Sequence, residues 1–293
     1  GFVRIVDRDF LEADNLHRQV LFDEQDVADA LPKAVAAAQR LAEVNSSVVV
    51  EPVVADVSAA NIETLAKDVD VIVDGTDNFA TRYLINDFCV ANAIPWVFGG
   101  CVGAEGQMLA ILPGDGPCLR CLMPEPPPPE VQPTCETAGV LGPIVSTISS
   151  LQAIEAIKLL SGNRAAVNRR MAIVDLWANQ IRSVGVARMH GRAACPTCDD
   201  QQFDWLSGKR GSPAVALCGR NAVQITPDDH HRLSLSELEA KVKSLGRVSA
   251  NPYLLRLEVE GFRFTVFADG RTIVGGTDDP AEARALHARY IGG

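Results

Sequence analysis

Four of the eight cysteines fall into two pairs with two intervening residues, Cys118/Cys121 and Cys195/Cys198. Thiolates at this spacing are zinc ligands, and two such pairs supply a closed tetrahedral site. The long separation between the pairs means that an ion would tie a mid-domain loop to a distant segment, restricting the unfolded chain as a long crosslink does. The alternative is redox chemistry, since Cys195-Pro196-Thr197-Cys198 resembles a dithiol motif. Cys135 stands apart. It lies just ahead of a long helical stretch, where a thiol is more acidic and more nucleophilic, or else it is a buried inert thiol. Cys89, Cys101 and Cys218 sit in or beside apolar runs and read as inert.

A second set of residues suits an anion. Asp7 closes a short apolar run and is followed by Asp14-Asn15-Leu16-His17-Arg18-Gln19. An acidic residue at a strand end can hydrogen-bond ribose hydroxyls, and a guanidinium is a rigid fork of donors for phosphate. Lys33 follows Pro32 at a helix start, where backbone N–H groups lack partners. Asp74-Gly75-Thr76-Asp77-Asn78 follows another apolar strand. A carboxylate at that end of an open sheet can hold magnesium, or Asp77 simply caps the next helix. Taken singly, each feature is equally a surface polar residue.

The elements that must position these groups alternate. Strands are expected over 3–6, 48–53, 69–74 and 96–100, with helices over 34–44, 61–67 and 80–93. This rhythm gives βαβ units and a mainly parallel sheet. A strand over 106–112 should return antiparallel to its predecessor. An irregular stretch over 113–137, rich in proline from Pro124 to Pro129, then precedes a helix over 143–160 closed by Gly162 and a strand over 171–175. Past residue 200 the composition shifts. Strand-like runs over 214–225, a helix over 235–245 capped by Ser234 with Glu237, a hairpin 253–259/262–267 and a helix over 280–290 make a small α+β module. The expected division is therefore 1–200 and 201–293, with no internal repeat.

The chain has 293 residues, 47% hydrophobic and 22% charged, with a net charge of −10. That balance disfavours a nucleic-acid partner. No apolar run reaches the ~20 residues of a membrane helix, and no signal peptide is readable, so a cytoplasmic location without membrane association is the default.

Taken together, Asp7, Asn15-Leu16-His17-Arg18-Gln19, Pro32-Lys33, Asp74 to Asn78, Cys118-x-x-Cys121, Thr134-Cys135, Gly139 to Pro143, Leu151-Gln152-Ala153 and Cys195-x-x-Cys198 resemble the ThiF/MoeB branch of ubiquitin-activating-type enzymes. The resemblance spans residues 1–200 and implies a Rossmann-like adenylation domain that uses ATP, magnesium and zinc. Asp7 would lie on the ribose. Asn15, Gln19, Asn78, Arg18 and Lys33 would lie near the nucleotide, the last two as catalytic cations, and Asp77 would be the magnesium and adenylation carboxylate. Cys135 would carry a thioester or acyl-disulfide intermediate. The reaction implied is adenylation of the C-terminal glycine of a sulfur carrier, ThiS for thiamine, with MoaD for molybdopterin as the alternative. A homodimer and a cysteine desulfurase are the further partners implied.

The chain departs from the family in two ways. It opens after the point where the family has a first strand, a G-x-G-G-x-G loop and a helix, and it lacks the family's N-terminal arginine. As written it is expected to bind ATP poorly, to catalyse no exchange and to aggregate, with about 40 restored residues rescuing all three. Three competing classes are a nicotinamide-dependent dehydrogenase, a rhodanese-like sulfurtransferase at Cys218 and a non-catalytic carrier-binding scaffold. The first leaves the zinc pairs unexplained. The second is disfavoured because Cys218 runs into the strand-like Ala222-Val223-Gln224-Ile225. The terminal Gly292-Gly293 follows a helix rather than a modifier tail.

Overall fold

In a computed structural model, residues 1–127, 138–191, 194–210, 214–217, 221–226 and 233–292 are described. In chain order the elements are β1 (Phe2–Val6), α1 (Glu24–Ala28), α2 (Lys33–Val44), β2 (Val49–Val53), α3 (Ile62–Leu65), β3 (Ile72–Val73), α4 (Phe79–Asn92), β4 (Trp96–Val102), β5 (Glu105–Ile111), α5 (Leu119–Leu122), α6 (Gly142–Leu160), β6 (Arg170–Asp175), β7 (Gln180–Gly185), β8 (Ala214–Leu217), β9 (Ala222–Ile225), α7 (Leu235–Val242), β10 (Arg247–Ala250), β11 (Leu254–Val259), β12 (Phe262–Phe267), β13 (Thr272–Gly275) and α8 (Pro280–Tyr290).

The chain forms two compact units that interleave along the sequence. One comprises Gly1–Glu12, Glu24–Ala55 and Ser212–Gly293; the other comprises Ala13–Asp23 and Asp56–Gly211.

In the first unit β1 pairs with β2 in parallel, Val3 opposite Val50 and Ile5 opposite Pro52, and α2 packs on this pair. The small residues Ala34, Ala36 and Ala37 bury the near face of α2 and let it approach the strands closely. The same unit holds a six-stranded sheet of order β10-β11-β12-β13-β9-β8, antiparallel throughout. The β11–β12 hairpin turns at Glu260-Gly261, where both residues have positive φ, as a two-residue hairpin turn requires. Its inward positions alternate along each strand, so Leu255, Leu257, Phe264 and Val266 are fully buried with Leu286 and Tyr290 of α8. Each contributes about 1.5–3 kcal/mol of burial. Ser234 accepts from the Glu237 N–H to start α7, as its sequence implies.

In the second unit the sheet order is β3-β4-β5-β6-β7. β3 and β4 are parallel; β5, β6 and β7 extend the sheet antiparallel. The α/β class and the antiparallel return after β4 stand as expected. The strand foreseen over 69–74 shortens to two residues, and β7 comes as an addition. All six of its residues are exposed, so it lacks the apolar alternation that marks a half-buried strand. α6 packs on β4 and β5. Gly106 makes that possible, since a Cβ there would come within 2.4 Å of Ile148. Among the described residues α6 is the one helix long and apolar enough to cross a membrane. It buries Gln152 and Glu155 against protein and pairs Glu155 with Lys158.

Candidate functional site

In the first unit the chain leaving β1 makes a tight polar turn. The Asp9 N–H donates to the Asp7 carboxylate at 2.8 Å, and Asp9 in turn pairs with Lys33 Nζ at 3.2 Å. Lys33 is buried, at 8% exposure, rather than being the exposed first-turn lysine its position alone suggests. Backbone bonds from Lys33 N to Asp9 O and from Leu11 N to Leu31 O run the strand-end segment beside the approach to α2. Asp7 and Lys33 are thus joined through Asp9, by its N–H on one side and its carboxylate on the other.

In the second unit Asn15, Arg18 and Gln19 share one turn. The N–H groups of Arg18 and Gln19 both donate to Asn15 O, and Arg18 Nη1 donates to Asp14 O at 2.6 Å. His17 bonds Val140 O at 3.1 Å, and the His17 carbonyl lies where a Cβ on Gly142 would be, 2.5 Å away. Gly142 therefore lets the turn seat against the start of α6. Buried Gln19 Oε1 has no hydrogen-bond partner among the described residues, an acceptor left for a ligand or water.

Asp77 and Asn78 follow β3. The helix cap is Asn78, whose side chain accepts from Thr81 N at 2.8 Å, so the exposed Asp77 carboxylate is not spent on capping. Just before it, Asp74 is fully buried and lies 3.4 Å from Arg82 Nε. Burial pushes the Asp74 carboxyl above the usual range, while the Arg82 charge and the Thr76 hydrogen bonds pull the other way. Arg82 also donates to the carbonyls of Thr76 and Gly99. From α6, Gln152 donates to Asp74 O at 2.7 Å and Val97 O at 2.9 Å. Gly99 accommodates that amide, which would lie 2.5 Å from a Cβ. The strand end presenting Asp77 is thus fixed from two helices.

The four paired cysteines come together in the second unit. Sulfurs about 2.3 Å from a tetrahedral zinc lie about 3.8 Å apart. The Sγ separations are 3.9 Å for Cys118–Cys121, 3.7 Å for Cys118–Cys195 and 3.7 Å for Cys121–Cys198, and all four sulfurs lie within 4.8 Å of one another. The donor set and spacing fit a closed zinc site. Neighbouring thiols hold the Cys121 pKa down to about 4 by donating to its sulfur, the Cys118 thiol first, while the same contacts raise Cys198. Asn86, fully buried on α4, braces the site: its Oδ1 accepts from Leu119 N at 2.8 Å and its Nδ2 lies 3.7 Å from Cys118 Sγ. Behind the second pair, Thr197 donates to Asp87 at 3.1 Å and accepts from Arg120 at 3.3 Å. Asp87 also accepts from Trp205 N, and burial raises its carboxyl.

Arg82, Asn86, Asp87 and Arg120 were not singled out from sequence. The available signal was a helix over 80–93 placing three strongly polar residues among buried apolar ones. Cys135, and Cys218 with it, lies outside the described residues.

A family profile described as the ThiF family matches residues 1–197. The sulfur carrier protein ThiS adenylyltransferase of Bacillus subtilis (strain 168) is 40% identical over all 293 residues, which span 86% of that protein. A sulfur carrier protein adenylyltransferase of Thermus thermophilus is 38% identical over 206 residues, covering 69% of this chain and 74% of the relative. The adenylyltransferase and sulfurtransferase MOCS3 of Culex quinquefasciatus is 39% identical over 68% of this chain, which spans 45% of it. Among solved structures, Escherichia coli MccB with MccA-N7isoASN superposes with a TM-score of 0.56 at 20% identity, over 69% of this chain and 60% of that one, a likeness of fold.

Proposed function

The chain belongs to the ThiF family, and from that premise we propose that it transfers AMP from ATP to the C-terminal glycine of a ubiquitin-like sulfur carrier, with ThiS as the carrier. It is an adenylyltransferase acting on a sulfur-carrier protein. One observation carries the choice of ThiS. Similarity to the B. subtilis ThiS adenylyltransferase runs through residues 201–293, whereas the MOCS3 and T. thermophilus relatives cover 68% and 69% of the chain. On this reading 1–200 is the adenylation domain and 201–293 an accessory module of a thiamine-type, cytoplasmic enzyme.

A carboxylate oxygen of the carrier glycine attacks the α-phosphorus, the α–β bridging P–O bond breaks, and pyrophosphate leaves. Both reactants are anions, so most of the work is charge neutralisation and alignment. Arg18 and Lys33 supply fixed positive charge, Asn15, Gln19 and Asn78 orient the nucleotide, and Asp7 takes the ribose hydroxyls. Asp77, an exposed oxygen donor not used as a cap, suits magnesium, which would offset phosphate charge when bound. Cys118, Cys121, Cys195 and Cys198 would hold a structural zinc, since they offer a full set of four thiolate donors. Cys135 acts afterwards, its thiol or a persulfide on it displacing AMP from the acyl adenylate. A cysteine desulfurase is the sulfur source, and a homodimer is the assembly. Ile154, Ile157 and Leu160, between 45% and 59% exposed along α6, support a protein-covered face.

The test is ATP–pyrophosphate exchange with purified ThiS and MoaD in parallel. ThiS-dependent exchange supports the reading, MoaD-dependent exchange moves the protein to molybdopterin, and carrier binding without exchange makes it a scaffold.

A further inference from the structure

The first compact unit joins the strand-end segment carrying Asp7 to residues far along the chain. The Arg256 guanidinium lies over the Phe10 ring, 4.3 Å from its centroid, and the Phe267 ring is 6.3 Å from the same ring. Arg271, 3% exposed, donates from Nη1 to Arg8 O at 3.5 Å while Asp269 holds its Nε at 2.7 Å and Phe267 lies under it. Asn251 Nδ2 donates to the carbonyls of both Asp29 and Ala30, at 3.2 and 3.1 Å. Ala30 has a φ of 50°, so these bonds clamp a strained turn that leads into Pro32-Lys33.

The segment between Asp7 and Leu11 is not a strand; besides its backbone bonds to Leu31 and Lys33, side chains from the surrounding structure fix its conformation. Asp7 is aimed by the Asp9 N–H, and Asp9 by Lys33. Phe10 is the next residue, and it is gripped by Arg256. Arg256 Nε and Arg271 Nη2 are buried without a hydrogen-bond partner among the described residues. Burying such donors costs stability, which the contacts of both guanidinium groups with the Phe10 and Phe267 rings offset in part.

We propose that Arg256, Arg271 and Asn251 are positioning residues for the nucleotide: through Phe10, Arg8 and the Asp29–Ala30 turn they set the aim of Asp7 at the ribose and the place of Lys33. The role of the 201–293 module is thus to hold the nucleotide segment from behind. The inference rests on the assignment of Asp7 to the ribose hydroxyls.

The experiment measures ATP–pyrophosphate exchange by the intact protein with its carrier, with ATP and 2′-deoxy-ATP compared, for Asp7→Asn, Arg256→Ala, Arg256→Lys and Asn251→Asp. The Asn251→Asp change keeps the acceptor used by Tyr253 N and Leu254 N and turns the two donated bonds into a carboxylate facing two carbonyls, so it releases the Asp29–Ala30 turn without removing the local turn at Tyr253. Arg256→Ala is expected to raise the KM for ATP about tenfold with the carrier KM unchanged, since remote misplacements of ~1 Å cost up to about 100-fold. It should also shrink the preference for ATP over 2′-deoxy-ATP toward that of Asp7→Asn. Arg256→Lys, which restores a cation over the ring, should recover most of the preference, and Asn251→Asp should raise the KM for both nucleotides through Lys33. If Asp7→Asn keeps the full preference, the ribose assignment falls and this inference with it. If Asp7→Asn loses the preference while Arg256→Ala and Asn251→Asp keep wild-type KM and preference, or Arg256→Ala weakens both nucleotides equally, the positioning role is overturned and the ribose assignment stands.

Discussion

The cysteine cluster and the nucleotide residues teach different lessons about what a sequence reveals. Cys118, Cys121, Cys195 and Cys198 converge on one point, with sulfurs 3.7–3.9 Å apart along three edges. The residues proposed for the nucleotide come from two strand ends, a helix start and a turn, and three of them are held by different neighbours: Asp7 by Asp9, Arg18 by Asp14, Asn78 by Thr81. A metal demands identical ligands at a fixed distance, which short spacing can encode. A nucleotide is held by several weak contacts whose geometry belongs to the fold. The first region should therefore fail by unfolding and the second by losing chemistry.

The largest effect is expected at the zinc ligands. Cys195→Ser should release the ion and unfold the second unit, because metal binding and folding are coupled and structural zinc in isolated fingers is worth about 10–16 kcal/mol. Elemental analysis of reduced wild-type protein should find one zinc per chain; finding none would mean that the four thiols hold no metal. Acidification should release zinc as well, because protons compete for the thiolates and metal affinity falls as pH falls.

Asp77→Ala should abolish pyrophosphate exchange while leaving the melting temperature within a degree or two of wild type, since an exposed carboxylate contributes little to stability. Loss of folding in this variant would erase the contrast between the two regions. Cys135→Ala should keep exchange and lose sulfur transfer. If a folded Cys135→Ala protein loses exchange, the thiol belongs to the first step.

Gly99→Ala sharpens the comparison because it touches the support rather than the site. The new Cβ would meet the Gln152 amide at 2.5 Å, so Gln152 must release Asp74 O and Val97 O. A loss of about 1–3 kcal/mol by denaturant titration is expected, with a smaller fall in exchange than Asp77→Ala produces. Smallest in energy is assembly: light scattering should give about twice the 31.4 kDa chain mass, and a monomer would remove the homodimer from the proposal.

The alternation of strands and helices through β5, the hairpin at Glu260-Gly261 and the Ser234 cap were legible because local pattern and turn chemistry decide them. β7 was not, because an exposed edge strand carries no apolar alternation. Arg82 and Gln152 were missed as supports for a related reason. Both bond backbone carbonyls, Gly99 O for one and Asp74 O for the other, and carbonyls leave no mark on the side-chain pattern. The link from Arg256 to Phe10 was equally invisible, since it joins segments that sequence alone assigns to separate domains.

The account stands most directly on one assay. Intact protein, loaded with zinc and supplied with magnesium, ATP, labelled pyrophosphate and purified ThiS, should incorporate label into ATP only when ThiS ends in its free glycine carboxylate. Asp77→Ala should reduce the rate to background. Exchange that proceeds without any carrier, or none at all with either ThiS or MoaD from a folded, zinc-loaded protein that includes the family's glycine loop, would contradict it.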